Sequence, residues 1–318
     1  MSSSHFGAWV GGQVLVSAAL TVTLFAAAGY VPVLGILVGL LTPTPLLLLT
    51  LRHGRLTGLL ALSLATLALA QLLGSLQSAV FFAEYGVLGS IMAEAIRRQW
   101  SFEKTLLLST LVPVLTSGVV MALLFFSVDL DLDTVKQHFE EDLSRTLRQF
   151  WADQGGPSEE ALRTYIQVTL ETVIQLLPAL FVLSTAAAAL LNYRVVAIFW
   201  GRLGEQPPLR QLMLAHWKAP ELCVWVLIAS GVGYFVPLPG MRIVGQNMLL
   251  LCSFVYLVQG LGIMVFYLNR TSAPSIFRTL AYMFLLIQPL LLLGVAVFGL
   301  FDLWFDFRRT GNKREELQ

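Results

Sequence analysis

Apolar residues run along this chain in blocks of roughly twenty, and the ionisable residues are crowded into the short stretches between them. A bilayer core about 30 Å thick needs roughly 20 apolar residues of helix to cross it. Nine runs approach or exceed that length: 12–30, 31–51, 56–73, 76–95, 105–127, 167–191, 222–238, 246–268 and 280–300. None alternates with the period of two expected of a barrel strand, and a helix satisfies its own backbone hydrogen bonds in lipid. The pattern predicts an all-α fold, a polytopic α-helical membrane bundle of eight or nine membrane helices.

One polar insert interrupts the runs. Residues 129–171 hold ten of the nineteen acids against Lys136, Arg145, Arg148 and Arg163, a net charge of about −6. Leu132, Val135, Phe139, Leu143, Leu147 and Phe150 recur at helical spacing and form one apolar face. Asp133 suits a cap at its start, Gly155-Gly156-Pro157 a stop, and Ser158-Glu159-Glu160 the start of a second helix. From 159 to 191 that second helix would measure about 50 Å, longer than the bilayer core, so its first part projects. The expected element is an external amphipathic helical hairpin, either lying over the bundle or acting as a lid or partner-docking element. The domain boundaries expected are 1–127 for an N-terminal five-span region, 128–166 for the external insert and 167–318 for a C-terminal membrane region with a basic tail.

Composition agrees with this class: 57% of the 318 residues are hydrophobic, 12% are charged, and the mean hydropathy is +0.76. Soluble domains carry about 25% charge. With the N-terminus inside, the short inner loops gather eleven of the twenty Lys and Arg residues, as the positive-inside tendency requires. The first run lacks the basic start and cleavage site of a signal peptide and is expected to remain as a span. At the far end the rule resists, because nine crossings put Arg308, Arg309, Lys313 and Arg314 outside. The run 222–238, short and interrupted by Gly231, Gly233 and Pro237, is therefore the candidate re-entrant segment: charge favours eight crossings, hydropathy nine. Cys223 and Cys252 fall within runs and have neither disulfide-framework nor metal-ligand spacing.

Ionisable groups at bilayer depth are costly and therefore informative. Glu84 stands in the middle of the fourth run, with Gln77 within about 20° of it on a regular helix. Beside them runs a stripe of small residues, Ala83, Gly86, Ser90 and Ala93, suited to close helix contact. Glu84 and Gln77 are candidate substrate-binding residues, with a protonated, hydrogen-bonded structural Glu84 as the alternative. Glu94 is a weaker candidate, since Arg97 and Arg98 lie near it. Gln175, Asn247, Gln259 and Gln288 are expected to form interhelical hydrogen bonds, and Gly35 and Gly39 a packing pair. Pro43 and Pro45 predict a kink whose freed backbone groups a neighbour must satisfy.

No nucleotide-binding loop, dinucleotide fingerprint or G-x-S-x-G elbow is present. The string Glu140-Glu141 to Arg145 resembles part of an intramembrane CAAX-protease signature, but it falls on a solvated amphipathic helix without histidines at depth. No enzyme is expected, no cofactor or metal, and no nucleic-acid partner. The basic stretch 192–221, rich in Trp and Pro, suits an interfacial loop or a docking point.

The string Val31-Pro32-Val33-Leu34-Gly35, then Pro43 and Pro45, then Leu51-Arg52-His53-Gly54, resembles the N-terminal region of YybS-like bacterial inner-membrane proteins. The ending from Gly299 through Asp302, Trp304 and Asp306 to Arg308 also resembles theirs. That N-terminal region is similar to the substrate-capturing components of energy-coupling-factor vitamin transporters. The resemblance implies residence in the bacterial cytoplasmic membrane, surrounded by membrane lipid, and capture of an unknown small molecule with a separate ATPase or other membrane subunit as partner. Two readings stand: transport or substrate capture, and a structural or scaffolding protein docking a partner through the insert or the basic loop.

Overall fold

The computed structural model describes residues 3–30, 34–127, 132–151, 158–202, 217–271 and 274–308. Among them all regular structure is helical: α1 (Ser3–Tyr30), α2 (Leu34–Leu40), α3 (Thr44–His53), α4 (Arg55–Leu72), α5 (Ser75–Phe81), a wide π-helical turn (Phe82–Gly86), α6 (Val87–Arg97), α7 (Phe102–Ser127), α8 (Leu132–Trp151), α9 (Glu159–Arg202), α10 (Leu222–Phe235), α11 (Pro239–Arg270), α12 (Ser275–Ile287) and α13 (Pro289–Phe305). The 155–157 stop, most of the basic loop (203–216) and the basic tail beyond Arg308 lie outside the described residues.

Each predicted run has a helical counterpart, but not each is a full-length span. Among the described residues six stretches are long and apolar enough to cross a bilayer: Trp9–Gly29, Arg55–Leu72, Ser75–Arg97, Phe102–Leu124, Glu159–Trp200 and Gly240–Arg270. A seventh, Ile276–Leu285 with Leu290–Phe305, is bent by 102°. The other two expected spans, 31–51 and 222–238, are represented by the shorter apolar stretches Leu37–His53 and Leu222–Phe235. Prolines explain both. Pro43 caps α3 after a turn that ends α2, and α10 stops ahead of Pro237 and Pro239. The span expected to end at 191 instead runs on to Arg202, making α9 about 66 Å long.

The chain forms two compact units, Met1–Thr172 with Phe181–Arg210, and Val173–Leu180 with Gln211–Gln318. The hairpin helix α8 belongs to the first unit and α9 contributes to both. The hairpin itself is held by Arg148 donating to Glu159 at 3.2 Å and by Trp151 set edge-on to Tyr165. Ser158 caps α9 at the Ala161 N–H.

In the first unit α1 packs on α2, α3 and α4. Gly35 and Gly39 both face Ala28 of α1, and a methyl group on Gly35 would overlap the Ala28 carbonyl. A core of Val14, Ala18, Leu46, Leu49, Ala61, Leu62, Ala65, Leu69 and Phe81 fills the centre. Leu56, Leu59, Leu60 and Leu67 of α4 are exposed, as suits a helix whose outer face meets acyl chains.

The break between α2 and α3 is satisfied from α9. Asn192, fully buried, donates to the Leu40 carbonyl at 2.7 Å and accepts from the Thr44 hydroxyl at 2.6 Å. The second unit has a matching device. Pro178 interrupts α9, and the Asn247 amide enters the gap, accepting from Ala179 N–H and donating to the Gln175 carbonyl, both at 2.8 Å.

Helices α10 and α11 run antiparallel: Ala219 N–H meets Gln259 Oε1 at 2.9 Å near one end, and Gly245 lies against Tyr234 and Ser230 near the other. Where α11 meets α13, methyl groups on Gly260 and Gly299 would overlap the carbonyls of Val295 and Tyr256. The Tyr267 hydroxyl donates to the Phe307 carbonyl at 2.8 Å, so the C-terminal ends of α11 and α13 lie together. Of the expected interhelical bonds, Asn247 and Gln259 make theirs, Gln175 takes part through its backbone carbonyl, and Gln288 is exposed at the start of α13.

Candidate functional site

Glu84 sits in the wide turn Phe82–Gly86, the one departure from α geometry within an otherwise continuous membrane-length stretch. Such turns hold an extra residue and are frequent at functional sites. Two features favour it here. Gly86 admits Leu62 of α4, whose Cδ1 would lie 2.8 Å from a β-carbon at that position, and Thr116 of α7 donates to the Ala83 carbonyl at 2.8 Å. Thr116 comes three residues after Pro113, which removes a donor from α7. Glu84 is half-buried and its carboxyl has no hydrogen-bond or ion-pair partner among the described residues. Gln77 is exposed beside the Gly74 turn, and no hydrogen bond joins it to Glu84. Ala83, Gly86 and Ala93 of the small-residue stripe are buried, whereas Ser90 is exposed.

Glu94 lies elsewhere, at the end of α6. It accepts from both Arg55, in a two-pronged contact, and Arg98, tying the α3–α4 corner to the α6–α7 corner. Its role in this geometry is that of an ion-paired clamp.

A second locus is an open groove of about 700 Å³ between α1, α3 and the last turns of α9. Pro45, Arg52 and His53 line it with Gln13, Ser17 and Thr44, over apolar walls from Val16, Leu20, Leu48, Leu49 and Phe199. Trp9 stands edge-on to His53 at 5.5 Å, so the N-terminal end of α1 and the C-terminal end of α3 share the polar end of the groove. Gly54 follows His53 with φ +99°, a left-handed conformation that turns the chain into α4. Pro43 stays at the helix start, where a β-carbon added at Gly89 would meet it at 3.6 Å. Neither Glu84 nor Gln77 lines this groove.

The C-terminal motif residues gather in the second unit. Asp302, fully buried, accepts from Arg308, from Gln259 Nε2 at 3.0 Å and from Phe307 N–H at 3.0 Å. Arg308 also donates to the Trp217 carbonyl at 2.8 Å, and Lys218 pairs with Asp306 at 3.0 Å. Asp306 ends α13 in a left-handed conformation, φ +42°, which Asp tolerates. These bonds staple residues 217–219 to Gln259 of α11 and to the end of α13.

The sequence from 19 to 303 matches the family described as Predicted membrane protein (DUF2232). The chain belongs to that family. It is also similar to the uncharacterized protein YybS of Bacillus subtilis (strain 168), 21% identical over 307 residues that cover 93% of this chain and 96% of that one. No solved structure matches it. The family match takes in Glu84, Arg52, His53 and Asp302, and stops short of Asp306 and Arg308. This is therefore a membrane protein of the YybS-like family.

Sequence reasoning did not single out Thr116 or Asn192. The signal for Thr116 is a hydroxyl one turn after a mid-span proline; for Asn192, it is that the apolar run resumes as Val195-Val196-Ala197-Ile198 beyond it.

Proposed function

We propose that this protein is a multi-pass component of the bacterial cytoplasmic membrane that captures or transports a small molecule, with Glu84 facing the path. The observation that carries this reading is Glu84 itself, an ionisable side chain without a partner among the described residues, in a wide turn at the middle of an apolar helix. A carboxyl in that position is retained at a cost of a few kcal/mol. The capture role implied by the resemblance read from Val31–Gly35, Pro43, Pro45 and Leu51–Gly54 agrees with this reading. With no nucleotide-binding loop in the chain, ATP-driven uptake would use a separate ATPase subunit.

The topology that fits is N-terminus inside with eight crossings. Helices α10 and α11 cross as an antiparallel pair, and the bent α12–α13 pair enters and returns on one side. Support comes from the Tyr267–Phe307 bond: a crossing between them would separate the two by about 30 Å. This arrangement moves Arg270, Arg278 and the basic tail inside together, leaving Arg242 as the basic residue of the outer α10–α11 turn.

Cells carrying wild-type protein, Glu84→Gln or an empty vector, compared by mass spectrometry of depleted medium, test the capture reading. At least one metabolite should be taken up faster with wild type, and the variant should lose this while accumulating normally. Wild-type uptake retained in full by Glu84→Gln overturns it. The scaffolding reading is favoured by the acidic α8–α9 hairpin, and it predicts that deleting 133–156 releases a co-purifying partner while Glu84→Gln is silent.

A further inference from the structure

The groove between α1, α3 and α9 is graded from end to end. Its polar end holds Trp9, Arg52 and His53, and its flanks are aliphatic. Trp together with basic residues marks the bilayer interface, so this end lies at headgroup level. None of the described residues that line the groove is acidic. Glu94 occupies Arg55 and Arg98, whereas Arg52 is exposed and has no acidic partner among the described residues. His53 Nε2 is out of solvent and has no hydrogen-bond partner among the described residues. A buried imidazole nitrogen without a partner, beside an unpaired guanidinium, is a site for an anionic oxygen.

The walls decide the source of that anion. Val16 and Leu20 are 59% and 51% exposed, so the groove is open along its apolar length, and the medium against that length in a membrane is acyl chain. We propose that the groove seats an anionic phospholipid of the bilayer, with its acyl chain along Val16, Leu20, Leu48 and Leu49 and its phosphate at Arg52 and His53. A water-soluble anion would leave those walls uncovered; a zwitterionic lipid would leave the positive charge of Arg52 unbalanced. Basic pockets between membrane helices on the cytoplasmic side are suited to such headgroups. The site does not depend on the role of Glu84.

The test is native mass spectrometry of the full chain in detergent, titrated separately with phosphatidylglycerol, phosphatidylcholine of the same acyl chains, and inorganic phosphate. The proteins are wild type, the double variant Arg52→Gln/His53→Gln, Leu48→Trp and Arg242→Gln. Wild type should retain one phosphatidylglycerol in preference to phosphatidylcholine. The double variant should bind it about 10-fold or more weakly, the loss expected of charge-assisted bonds to a phosphate. Leu48→Trp, which fills the groove and leaves both polar residues, should lose the lipid too, and Arg242→Gln should keep it. Size-exclusion and helical circular dichroism matching wild type show that the variants are folded; a variant that fails them is replaced by Arg52→Met/His53→Phe, which removes the charge and the imidazole while keeping the side-chain bulk, and for which the same weakening is expected. Equal binding of phosphatidylcholine, an undiminished folded double variant, competition by inorganic phosphate alone, or a lipid-free dimer closed over the groove each overturns the proposal.

Discussion

The Tyr267 hydroxyl, one turn before the end of α11, donates to the backbone carbonyl of Phe307, two residues beyond α13. That bond places the start and finish of the α12–α13 excursion at one level. A fusion reporter after Gln318 should consequently read cytoplasmic when the N-terminus is cytoplasmic. A reporter in the outer turn near Arg242 should read external. Tyr267→Phe should cost about 1 kcal/mol, the net worth of one hydrogen bond. An external reading after Gln318 would show that α12–α13 crosses.

Asp302 and Arg308 are paired with side chains 0% and 5% exposed. Removing one member strands the other's charge, so Asp302→Asn and Arg308→Gln should each lose about 3–5 kcal/mol in thermal unfolding in detergent. The double replacement Asp302→Leu/Arg308→Met should lose much less than the two singles together. Additive losses would show that the pair does not act as a unit.

Asn247 stands in for the helix bond that Pro178 opens in α9. Asn247→Leu leaves the Ala179 N–H and Gln175 carbonyl facing each other unbridged, and should cost about 1–3 kcal/mol. With Pro178→Ala in place the chain can close the ordinary bond from residue 179 to residue 175, and Asn247→Leu should then cost little. The measurement is a double-mutant cycle on the melting temperature; equal costs in both backgrounds would refute the substitution of side chain for backbone.

Gly260 and Gly299 bring α11 and α13 into backbone contact. An alanine at either would push the helices apart and should cost about 1–3 kcal/mol or more. Gly294→Ala is the control, since a β-carbon there meets nothing within 4 Å. Similar melting temperatures for Gly299→Ala and Gly294→Ala would remove the contact from the account.

The helical class, the approximate places of the apolar helices, the amphipathic insert and the isolation of Glu84 follow from the sequence alone. Each depends on local hydropathy and period, which a single segment carries by itself. The kink at Pro43 is equally local, because proline lacks a donor wherever it stands. Which residue repairs a kink is not local: Asn192 and Asn247 come from 148 and 68 positions away along the chain, measured to Thr44 and Ala179. The alignment of Gln77 with Glu84 assumed an unbroken α-helix, whereas a wide turn begins at Phe82, where Leu62 and Thr116 of neighbouring helices pack.

The sequence by itself thus determined how much of the chain belongs in lipid and which ionisable groups are out of place there. Tertiary structure decided what those groups meet. It paired Glu94 and Asp302 with arginines, left Glu84 unpaired among the described residues, and set Arg52 and His53 at the mouth of a groove. It also brought the ends of α11 and α13 together, a relation invisible to hydropathy, because a helix that returns and a helix that crosses can be equally apolar.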